Sequence, residues 1–409
     1  MLRIVWCAWI TVILVRQLTL FGTWGDVDPT VWLMIFAWLC VFSFAAIIAR
    51  SVHPMPNGTQ RLTLEPAWQQ RWVKRMSLMA LLGSIMLIYE FAIVRDYGFS
   101  SNVSTVRILE VNRASENSSV SIIGGLGRLM VPALQVAWVL ACLSWASTRP
   151  QTRALLIAAT LVVFWQQLTF EGGRNFWVCL FTMCIIARGA QPDRLRLSRF
   201  FKRLLLMAGL LAFLLIIFVN RPEQLGVQLA TAYSWQTSHH DVLVPTLVDE
   251  RFSRAFGSLY FALAMLWLYV TQGIYQLSVI MGDTQLNQAW GMHQFSIAGQ
   301  ILDRVFGLNV SYSNSEELIN PGTYPTLIGA SIVDFGKGGA LVFAGAMGYF
   351  GALGLRRLQS GKLSALSLSA PMIATVAVFS PVLSMTPNSW VACALIAMIG
   401  LLSRVRIRR

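Results

Sequence analysis

The turn Glu-Gly-Gly-Arg-Asn at 171–175 is the short segment whose residues best combine for chemistry. Its adjacent glycines permit a tight backbone turn, and they place Arg174 at the start of the apolar stretch that follows. A guanidinium stays ionised and binds phosphate through paired donors, and a helix N-terminus also favours anions. The turn therefore predicts a phosphate site with Arg174 and Glu171 as candidate catalytic residues. An ordinary hairpin in which these two side chains pair is the alternative.

A second segment, NPGTYPTLIGASIVDFGKGG at 320–339, combines prolines and glycines with short apolar pieces. This pattern predicts a broken helix at the membrane surface, and irregular backbone at that depth is tolerated where it lines a cavity. Asp334 is a third candidate catalytic residue, and Tyr324 is a candidate substrate contact. The alternative is that Asp334 and Lys337 simply neutralise each other.

The chain contains no cluster of His, Cys, Asp or Glu with the spacing of metal ligands, so we expect no metal and no cofactor. The run His239-His240-Asp241 is better explained as a solvated loop, because adjacent histidines point in different directions. All six cysteines lie in apolar stretches, where packing explains them better than a disulfide framework.

The composition identifies the elements that must position these residues. Of 409 residues, 56% are hydrophobic and only 12% are charged, whereas a soluble globular protein has roughly 25% charged residues. These values exclude a cytosolic enzyme, a disordered chain and a secreted disulfide module, and they indicate an all-α polytopic membrane protein. A crossing needs about 20 apolar residues. The hydropathy pattern predicts ten crossings, at 4–21, 30–49, 77–94, 127–146, 153–169, 175–187, 204–219, 338–355, 364–383 and 389–403.

The net charge of +14 is explained by basic clusters between the apolar stretches, not by nucleic-acid binding. With ten crossings, every cluster falls on one side, which is the cytoplasm, together with both termini. The N-terminal stretch shows no cleavage site, so we expect it to be retained. Arg16, inside that first crossing, is expected to extend its head group to the interface.

Residues 256–281 are apolar enough to cross the membrane, but one extra crossing would put Arg356 and the basic tail outside. We therefore predict an interfacial or re-entrant helix there. The predicted organisation is seven transmembrane helices in 1–219, an outer, periplasmic loop with interfacial or re-entrant helices in 220–337, and three transmembrane helices with a basic cytoplasmic tail in 338–409.

Several cations break the positive-inside pattern, because they fall on the outer side or at outer helix ends. Charge near the membrane is costly, and arginines on several outer loops suit an anionic ligand that arrives at this interface. Pairing with nearby acids is the alternative for any one of them. These cations are Arg107, Arg113, Arg128, Arg174, Arg221, Arg251, Arg254, Arg304 and Lys337.

Four segments together resemble the Wzy-type polymerases of oligosaccharide repeat units, a family that includes the O-antigen polymerases. They are the EGGRN turn, LWLYVTQGIYQL at 266–277, PTLIGASIVDFGKGGALVFAGAMGYFGAL at 325–353, and the loop STVRILEVNR with the following GGLGRLMVP. Their order, spacing and shared sidedness are also similar to the family's.

The resemblance implies a GT-C-like fold and an inverting, metal-independent glycosyl transfer at the outer face of the bacterial inner membrane. The donor would be a growing glycan on undecaprenyl pyrophosphate, and the acceptor would be one lipid-linked repeat unit. A separate co-polymerase that regulates chain length is the implied partner. The resemblance gives the pyrophosphate-binding role to Arg174 and to Arg128 with Arg107 or Arg113, and it matches Tyr269 to an aromatic of the outer interfacial helix. Further substrate contacts are expected from Arg251, Arg254 and Tyr324.

A sugar hydroxyl is a poor nucleophile, so this reaction needs a general base. The sequence leaves several candidates open: Glu171, His239, His240, Asp241, Asp249 and Glu250. An O-antigen ligase, which performs the same chemistry on another acceptor, is the nearest alternative function. A flippase for lipid-linked oligosaccharide is the alternative from another class, although the chain shows no internal repeat typical of transporters.

Overall fold

The computed structural model describes residues 1–18, 21–52, 66–95, 121–143, 145, 148–171, 174–189, 242–243, 248–283, 288–289, 291, 294, 325–360, 364–382, 391–392, 394–396 and 398–399. Ten helices have their bounds within this part of the chain: α1 Leu2–Arg16, α2 Pro29–Val52, α3 Pro66–Tyr89, α4 Ile122–Met130, α5 Ala133–Leu143, α6 Pro150–Gln166, α7 Arg174–Gly189, α8 Val248–Gly282, α9 Leu327–Gln359 and α10 Ala365–Phe379.

Two π-helical turns extend this helical framework, Glu90–Val94 after α3 and Gln167–Glu171 after α6. Two short strands, β1 Thr23–Trp24 and β2 Val242–Leu243, pair antiparallel and join the loop after α1 to the segment before α8.

Several helices begin at residues whose side chains satisfy the free backbone amides of the first turn. The Ser121 hydroxyl accepts a hydrogen bond from the Gly124 amide, and the Thr326 hydroxyl accepts one from the Gly329 amide, each at 3.0 Å. Ser364 and Ser367 form a reciprocal capping box at the start of α10. Polar residues next to apolar runs thus define where these helices start.

Five helical stretches of the described chain are long and apolar enough to cross a membrane: Pro29–Val52, Ala67–Val94, Ile122–Leu143, Leu263–Gly282 and Leu327–Gln359. Helix α10 and the Phe176–Gly189 part of α7 are apolar but shorter. The prediction of an all-α chain with several membrane-length helices is therefore confirmed. The count of ten crossings stays a prediction, and its seventh member, 204–219, lies outside the described residues.

Residues 256–281 lie inside one continuous helix, α8. Aromatic residues of this helix pack against the end of α1 and the loop after it: Tyr260 contacts Phe21, with ring centroids 5.5 Å apart, and the Trp267 indole donates to the Val15 carbonyl at 2.9 Å. At the other end of α8, the Met281 carbonyl accepts from the Lys337 ammonium at 3.4 Å.

The buried apolar residues form two main clusters. One cluster joins α3, α5, α6 and α7, and the other joins α1, α2, α8 and α9. Helix α10 contributes to both, with Met372 in the first and Ile373 in the second. The two halves of the molecule are therefore held together through α10.

Helices α2 and α9 pack closely and in parallel. A Cβ atom at Gly348 would lie 2.2 Å from the Phe42 carbonyl oxygen, so only glycine allows this approach. Eight residues further along both helices, the Arg356 guanidinium donates to the Arg50 carbonyl. The equal spacing shows that both helices run in the same direction, and it places these two predicted cytoplasmic arginines side by side.

Candidate functional site

The EGGRN turn connects two helices, as the sequence predicts. Glu171 ends the π-helical turn after α6, and Arg174 is the first residue of α7. Gly172 and Gly173 lie outside the described residues, as do the side chains of Glu171 and Arg174. The structure therefore gives the backbone position of this candidate phosphate site, at a helix N-terminus where anions are favoured.

Aromatic stacking holds this turn against the end of α3. The Phe170 ring, one residue before Glu171, stacks on the Phe91 ring with centroids 5.4 Å apart and planes 7° from parallel. Trp165 packs edge-on against Phe170 from the other side. The two π-helical turns thus lie together, and π-helical turns frequently occur at functional sites because they redirect side chains within a helix.

Beside the turn lies a charged group that we call the Glu90–Arg95 cluster, comprising Glu90, Arg95 and Ser121. Glu90 is 2% exposed, and its Oε1 accepts from Arg95 Nε at 2.9 Å. Its Oε2 accepts from the Ser121 hydroxyl, which itself caps α4. The Arg95 guanidinium also lies over the Phe91 ring, with its carbon 5.4 Å from the ring centroid. A cation within about 6 Å of a ring centroid is attracted to the ring face.

The π-helical geometry is what allows this ion pair. The Arg95 amide donates to the Glu90 carbonyl at 2.9 Å, an i to i+5 hydrogen bond that aligns the two side chains on one face. A carboxylate that is removed from water is strongly destabilised unless it is paired and hydrogen-bonded, and both conditions are met here. Glu90 therefore fixes Arg95 at the predicted outer end of α3, next to the EGGRN turn.

Sequence reasoning missed Glu90, Arg95 and Ser121 as site residues. A signal was present, because Glu90 is an acid within an apolar stretch and Arg95 follows directly after it. The sequence does not reveal the π-helical turn. In an α-helix, with about 3.6 residues per turn, positions i and i+5 do not lie on the same face, so the pair is not expected from helical spacing.

Buried amide side chains add polar character between α5, α6 and α7. Gln135 Nε2 donates to the Phe176 carbonyl at 3.4 Å, in the first turn of α7, and Gln167 Nε2 donates to Gln166 Oε1 at 3.2 Å. Gln135 Oε1 and Gln166 Nε2 are buried, and no described residue forms a hydrogen bond with either atom. An unsatisfied buried polar atom costs about 1–3 kcal/mol, so this region favours a polar ligand or water next to the EGGRN turn.

Helix α4 crosses α3 at very short range, which determines the position of Arg128. A Cβ at Gly124 would lie 3.2 Å from the Glu90 side chain, and a Cβ at Gly127 would lie 2.8 Å from Leu87 Cγ. The predicted substrate contact Arg128 is half-buried on this helix, within a stretch of membrane-spanning length. A cation at such a position commonly belongs to a functional site, because it is costly to keep there otherwise.

Asp334 and Lys337 differ in their surroundings, because the first is buried and the second is exposed. The Asp334 carboxylate is fully buried, and Oδ2 accepts from the Gln294 amide at 3.0 Å. Gln294 Nε2 in turn donates to the Ser331 hydroxyl at 3.2 Å. Lys337 is exposed and reaches the Met281 carbonyl instead. Asp334 thus anchors the segment at Gln294 to the start of α9.

The predicted break in the 320–339 segment is present and falls at Gly336. This residue has φ 70° and ψ 176°, and a Cβ there would lie 2.7 Å from Gln288 Nε2. A residue with a side chain would therefore be strained by its backbone and crowded by its neighbour.

Asp28 lies before α2 and close enough to Lys337 for the ammonium to act on its carboxylate. A backbone hydrogen bond from Thr30, at 2.7 Å, and a side-chain hydrogen bond from the same residue hold the pKa of Asp28 below its ordinary value, and Lys337 lowers this pKa further. The N-terminal end of α2 and the break in α9 therefore lie at the same end of the molecule.

Tyr269, the predicted aromatic of α8, is half-buried and packs with Ala264, Met265 and Phe21. Arg107, Arg113 and Tyr324 lie outside the described residues, and so do the side chains of Arg251 and Arg254, which belong to the first turns of α8. The structure thus brings the EGGRN turn together with Glu90 and Arg95, and it places Asp334 and Tyr269 around α8 and α9.

Among the described residues, no group of three or more His, Cys, Asp or Glu could hold a metal ion. Comparison with known proteins finds no matching family model, no matching curated protein and no matching solved structure.

Proposed function

We propose that the protein is a glycosyltransferase that polymerises oligosaccharide repeat units linked to undecaprenyl pyrophosphate, at the periplasmic face of the bacterial inner membrane. The observation that carries the proposal is the position of the EGGRN turn beside the Glu90–Arg95 cluster, through the stacked rings of Phe91 and Phe170. A helix N-terminus that begins with an arginine, next to a second arginine, suits the two phosphates of a pyrophosphate.

In this reaction, a hydroxyl of the acceptor sugar attacks the anomeric carbon of the donor glycan, and undecaprenyl pyrophosphate leaves. One C–O bond forms and one breaks, and the hydroxyl proton passes to a general base. The developing charge on the leaving pyrophosphate is stabilised by Arg174, and by Arg95 held in place by Glu90. Glu171 is the acidic residue proposed to act nearer the sugars, whereas Asp334, which is fully buried and accepts from the Gln294 amide, supports the start of α9. Arginines supply the electrostatic stabilisation, so the proposal needs no metal.

The contacts of α8 support an outer, interfacial or re-entrant position for this helix. Tyr260, twelve residues into α8, contacts Phe21, and Met281, near the end of the helix, contacts Lys337, whose charge acts on Asp28. Residues 21–28 belong to a single loop between α1 and α2. The approach of both Tyr260 and Met281 to one loop supports a position of this part of α8 along the outer face, where it would help to hold glycan chains.

The experiment that tests the proposal is a surface-glycan gel of a deletion strain complemented with variants. The wild-type chain should restore a ladder of repeat units, whereas R174A should leave only the single-unit band. R174K should recover little, because a compact ammonium cannot bind phosphate through paired donors. The matched control is R71A, which removes an exposed arginine from the opposite end of α3. A normal ladder from R174A would refute the phosphate site, and loss of the single-unit band on deletion would indicate a ligase or a flippase.

The proposed orientation has both termini in the cytoplasm and is tested by cysteine labelling in a cysteine-free background. Cysteines introduced at positions 236 and 312 should react with a membrane-impermeant reagent from outside, and one at 198 should not. Reaction of both outer probes only after the inner membrane is permeabilised would contradict the orientation. Co-purification of a chain-length-regulating co-polymerase is the corresponding expectation for the partner.

A further inference from the structure

Arg16 is a buried cation for which the proposed reaction has no role. The sequence predicts that its head group extends to the interface; in the structure the residue is only 7% exposed, because other parts of the protein cover it. It is the last residue of α1, and the loop that contains Trp24 and Gly25 covers it.

The contacts of Arg16 involve Nη2 and the face of the guanidinium but not Nη1. Nη2 donates to the Gly25 carbonyl at 3.2 Å, and the guanidinium carbon lies 5.0 Å from the centre of the Trp24 ring. Nη1 is buried and has no hydrogen-bond partner among the described residues. Among the residues that the structure describes, no carboxylate pairs with this group. A buried charge without a counter-ion is strongly unfavourable, so the arrangement favours an anion beside Nη1.

The surroundings hold the guanidinium in one orientation. The Trp24 indole donates to the Thr271 hydroxyl at 2.8 Å, and its ring packs against Trp267 and Tyr275 with centroids 5.7 Å and 5.5 Å away. Trp24 is also part of the β1–β2 pair. A ring fixed on this many sides cannot rotate away, so the guanidinium plane that lies over it is fixed before a ligand arrives.

Helix α8 supplies an independent observation within one turn of Thr271. Gln272 and Gln276 are buried, and within the part of the chain that the structure describes both amide atoms of each side chain lack a hydrogen-bond partner. The two residues are one turn apart on the same face of the helix. Four such polar atoms on one helix face suit a partner that both donates and accepts hydrogen bonds, as hydroxyl groups do, while a phosphoryl oxygen can accept from the two amide nitrogens.

We propose that Arg16, stacked on Trp24, is a second binding site for a lipid-borne phosphoryl group, separate from the EGGRN turn. Gln272 and Gln276 are the neighbouring residues that contact the polar part of the same ligand. Under the proposed function, this site would take the pyrophosphate of a second polyprenyl substrate, and to that extent the inference rests on that function. The same chemistry would bind the phosphate of a phosphoglycerolipid head group.

The test measures binding to the purified full-length chain in neutral detergent micelles. Farnesyl pyrophosphate is the polyprenyl probe, farnesol is its phosphate-free counterpart, and phosphatidylglycerol is the head-group probe. Each is titrated while the thermal unfolding midpoint is recorded, because a ligand that binds only the folded chain raises that midpoint. The protein carries R174A throughout, so that the EGGRN turn does not contribute to the signal.

In this background, R16Q should weaken binding of the phosphorylated probe about tenfold or more, as loss of a hydrogen bond to a charged group does. R16K should be intermediate. The matched control is R3Q, which removes an exposed arginine from the other end of the same helix and should bind as the parent does. A farnesyl pyrophosphate response without a phosphatidylglycerol response assigns the site to a polyprenyl pyrophosphate, and the reverse assigns it to a phospholipid.

Equal binding by the R16Q and R3Q chains would overturn the proposal, as would equal affinity for farnesol and farnesyl pyrophosphate. If R16Q does not fold, R16K decides, and unchanged binding by R16K refutes the site. The glycan ladder of the wild-type chain is an independent readout. A ladder without Arg16-dependent binding refutes only this site, and Arg16-dependent binding without a ladder refutes only the polymerase assignment.

Discussion

Removal of Glu90 should destabilise the protein strongly, because it breaks a buried ion pair with Arg95 from one side. The side chains of Arg95 and Glu90 are 10% and 3% exposed, so water cannot substitute for the lost carboxylate. Breaking a buried ion pair from one side costs about 3–5 kcal/mol. The Glu90 side chain also packs against Gly124, at 3.2 Å from the Cβ position of that residue, so E90A loses contact with α4 as well.

The measurement is the free energy of unfolding in detergent, followed by the fluorescence of the chain's 15 tryptophans. E90A should lower it by about 3–5 kcal/mol, whereas D26A, which removes an exposed carboxylate, should leave it nearly unchanged. A double-mutant cycle isolates the pair: E90A and R95A together should cost less than the sum of the two, by about 0.5–3 kcal/mol.

Two results would refute this reasoning. A loss of less than about 1 kcal/mol for E90A would mean that the pair behaves as a solvated surface ion pair. Strict additivity of E90A and R95A would mean that the two side chains do not interact in the folded protein. In the functional readout, R95A should shorten or abolish the glycan ladder even when the protein is produced normally, because Arg95 lies beside the EGGRN turn.

Three further perturbations test the close helix contacts and the end of α2. G127L should lower the free energy of unfolding by about 1–3 kcal/mol through overpacking against Leu87, whereas L126V, at an exposed neighbouring position, should have little effect; an unchanged G127L chain would contradict the close crossing. G336A should destabilise by about 1–3 kcal/mol, because φ 70° with ψ 176° is a conformation that essentially only glycine adopts, and equal stability would show that the break relaxes. Because the pKa of Asp28 is lowered in the folded chain, its carboxylate stabilises the fold fully above its ordinary pKa, near 3.9. This stabilisation is lost as the pH falls through the lower pKa of the folded state. Stability measured from pH 5 downwards should therefore fall less steeply in D28N, and identical profiles would contradict the Thr30 contact.

The sequence predicted those parts of the fold that depend on local hydropathy. The apolar stretch at 30–49 corresponds to α2, Pro29–Val52, because almost every residue of that helix is apolar. The stretch at 77–94 captures only the later part of α3, which begins at Pro66. The first turns of α3 contain Gln69, whose amide is buried and donates to the Leu140 carbonyl at 2.9 Å. A polar side chain that is buried because it hydrogen-bonds to another helix cannot be recognised as buried from hydropathy.

The candidate site was predicted only where a single segment carries it. The EGGRN turn is local, and its place between two helices follows from the apolar stretches on either side of it. The Glu90–Arg95 cluster requires a π-helical turn and the cap of another helix, and the burial of Arg16 requires a loop, a strand pair and α8. These contacts join residues far apart in the chain, so a pattern in one stretch cannot specify them.

The parallel packing of α2 and α9 limits which segments between them can cross the membrane. Two parallel helices must be separated by an odd number of crossings. If α3, α4 with α5, α6 and α7 each cross once, as the sequence predicts, one more crossing is needed. It comes from α8 or from the predicted span at 204–219, which lies outside the described residues, but not from both. Because Tyr260 and Met281 of α8 both approach the loop between α1 and α2, we keep the prediction that 204–219 crosses and α8 does not. The labelling experiment distinguishes the two arrangements, since a cysteine at 236 is outside if 204–219 crosses and inside if α8 does. If a cysteine at 236 is inaccessible from outside, α8 is the segment that crosses the membrane. The proposed contact between α8 and the glycan, which needs an outer position, would then be refuted.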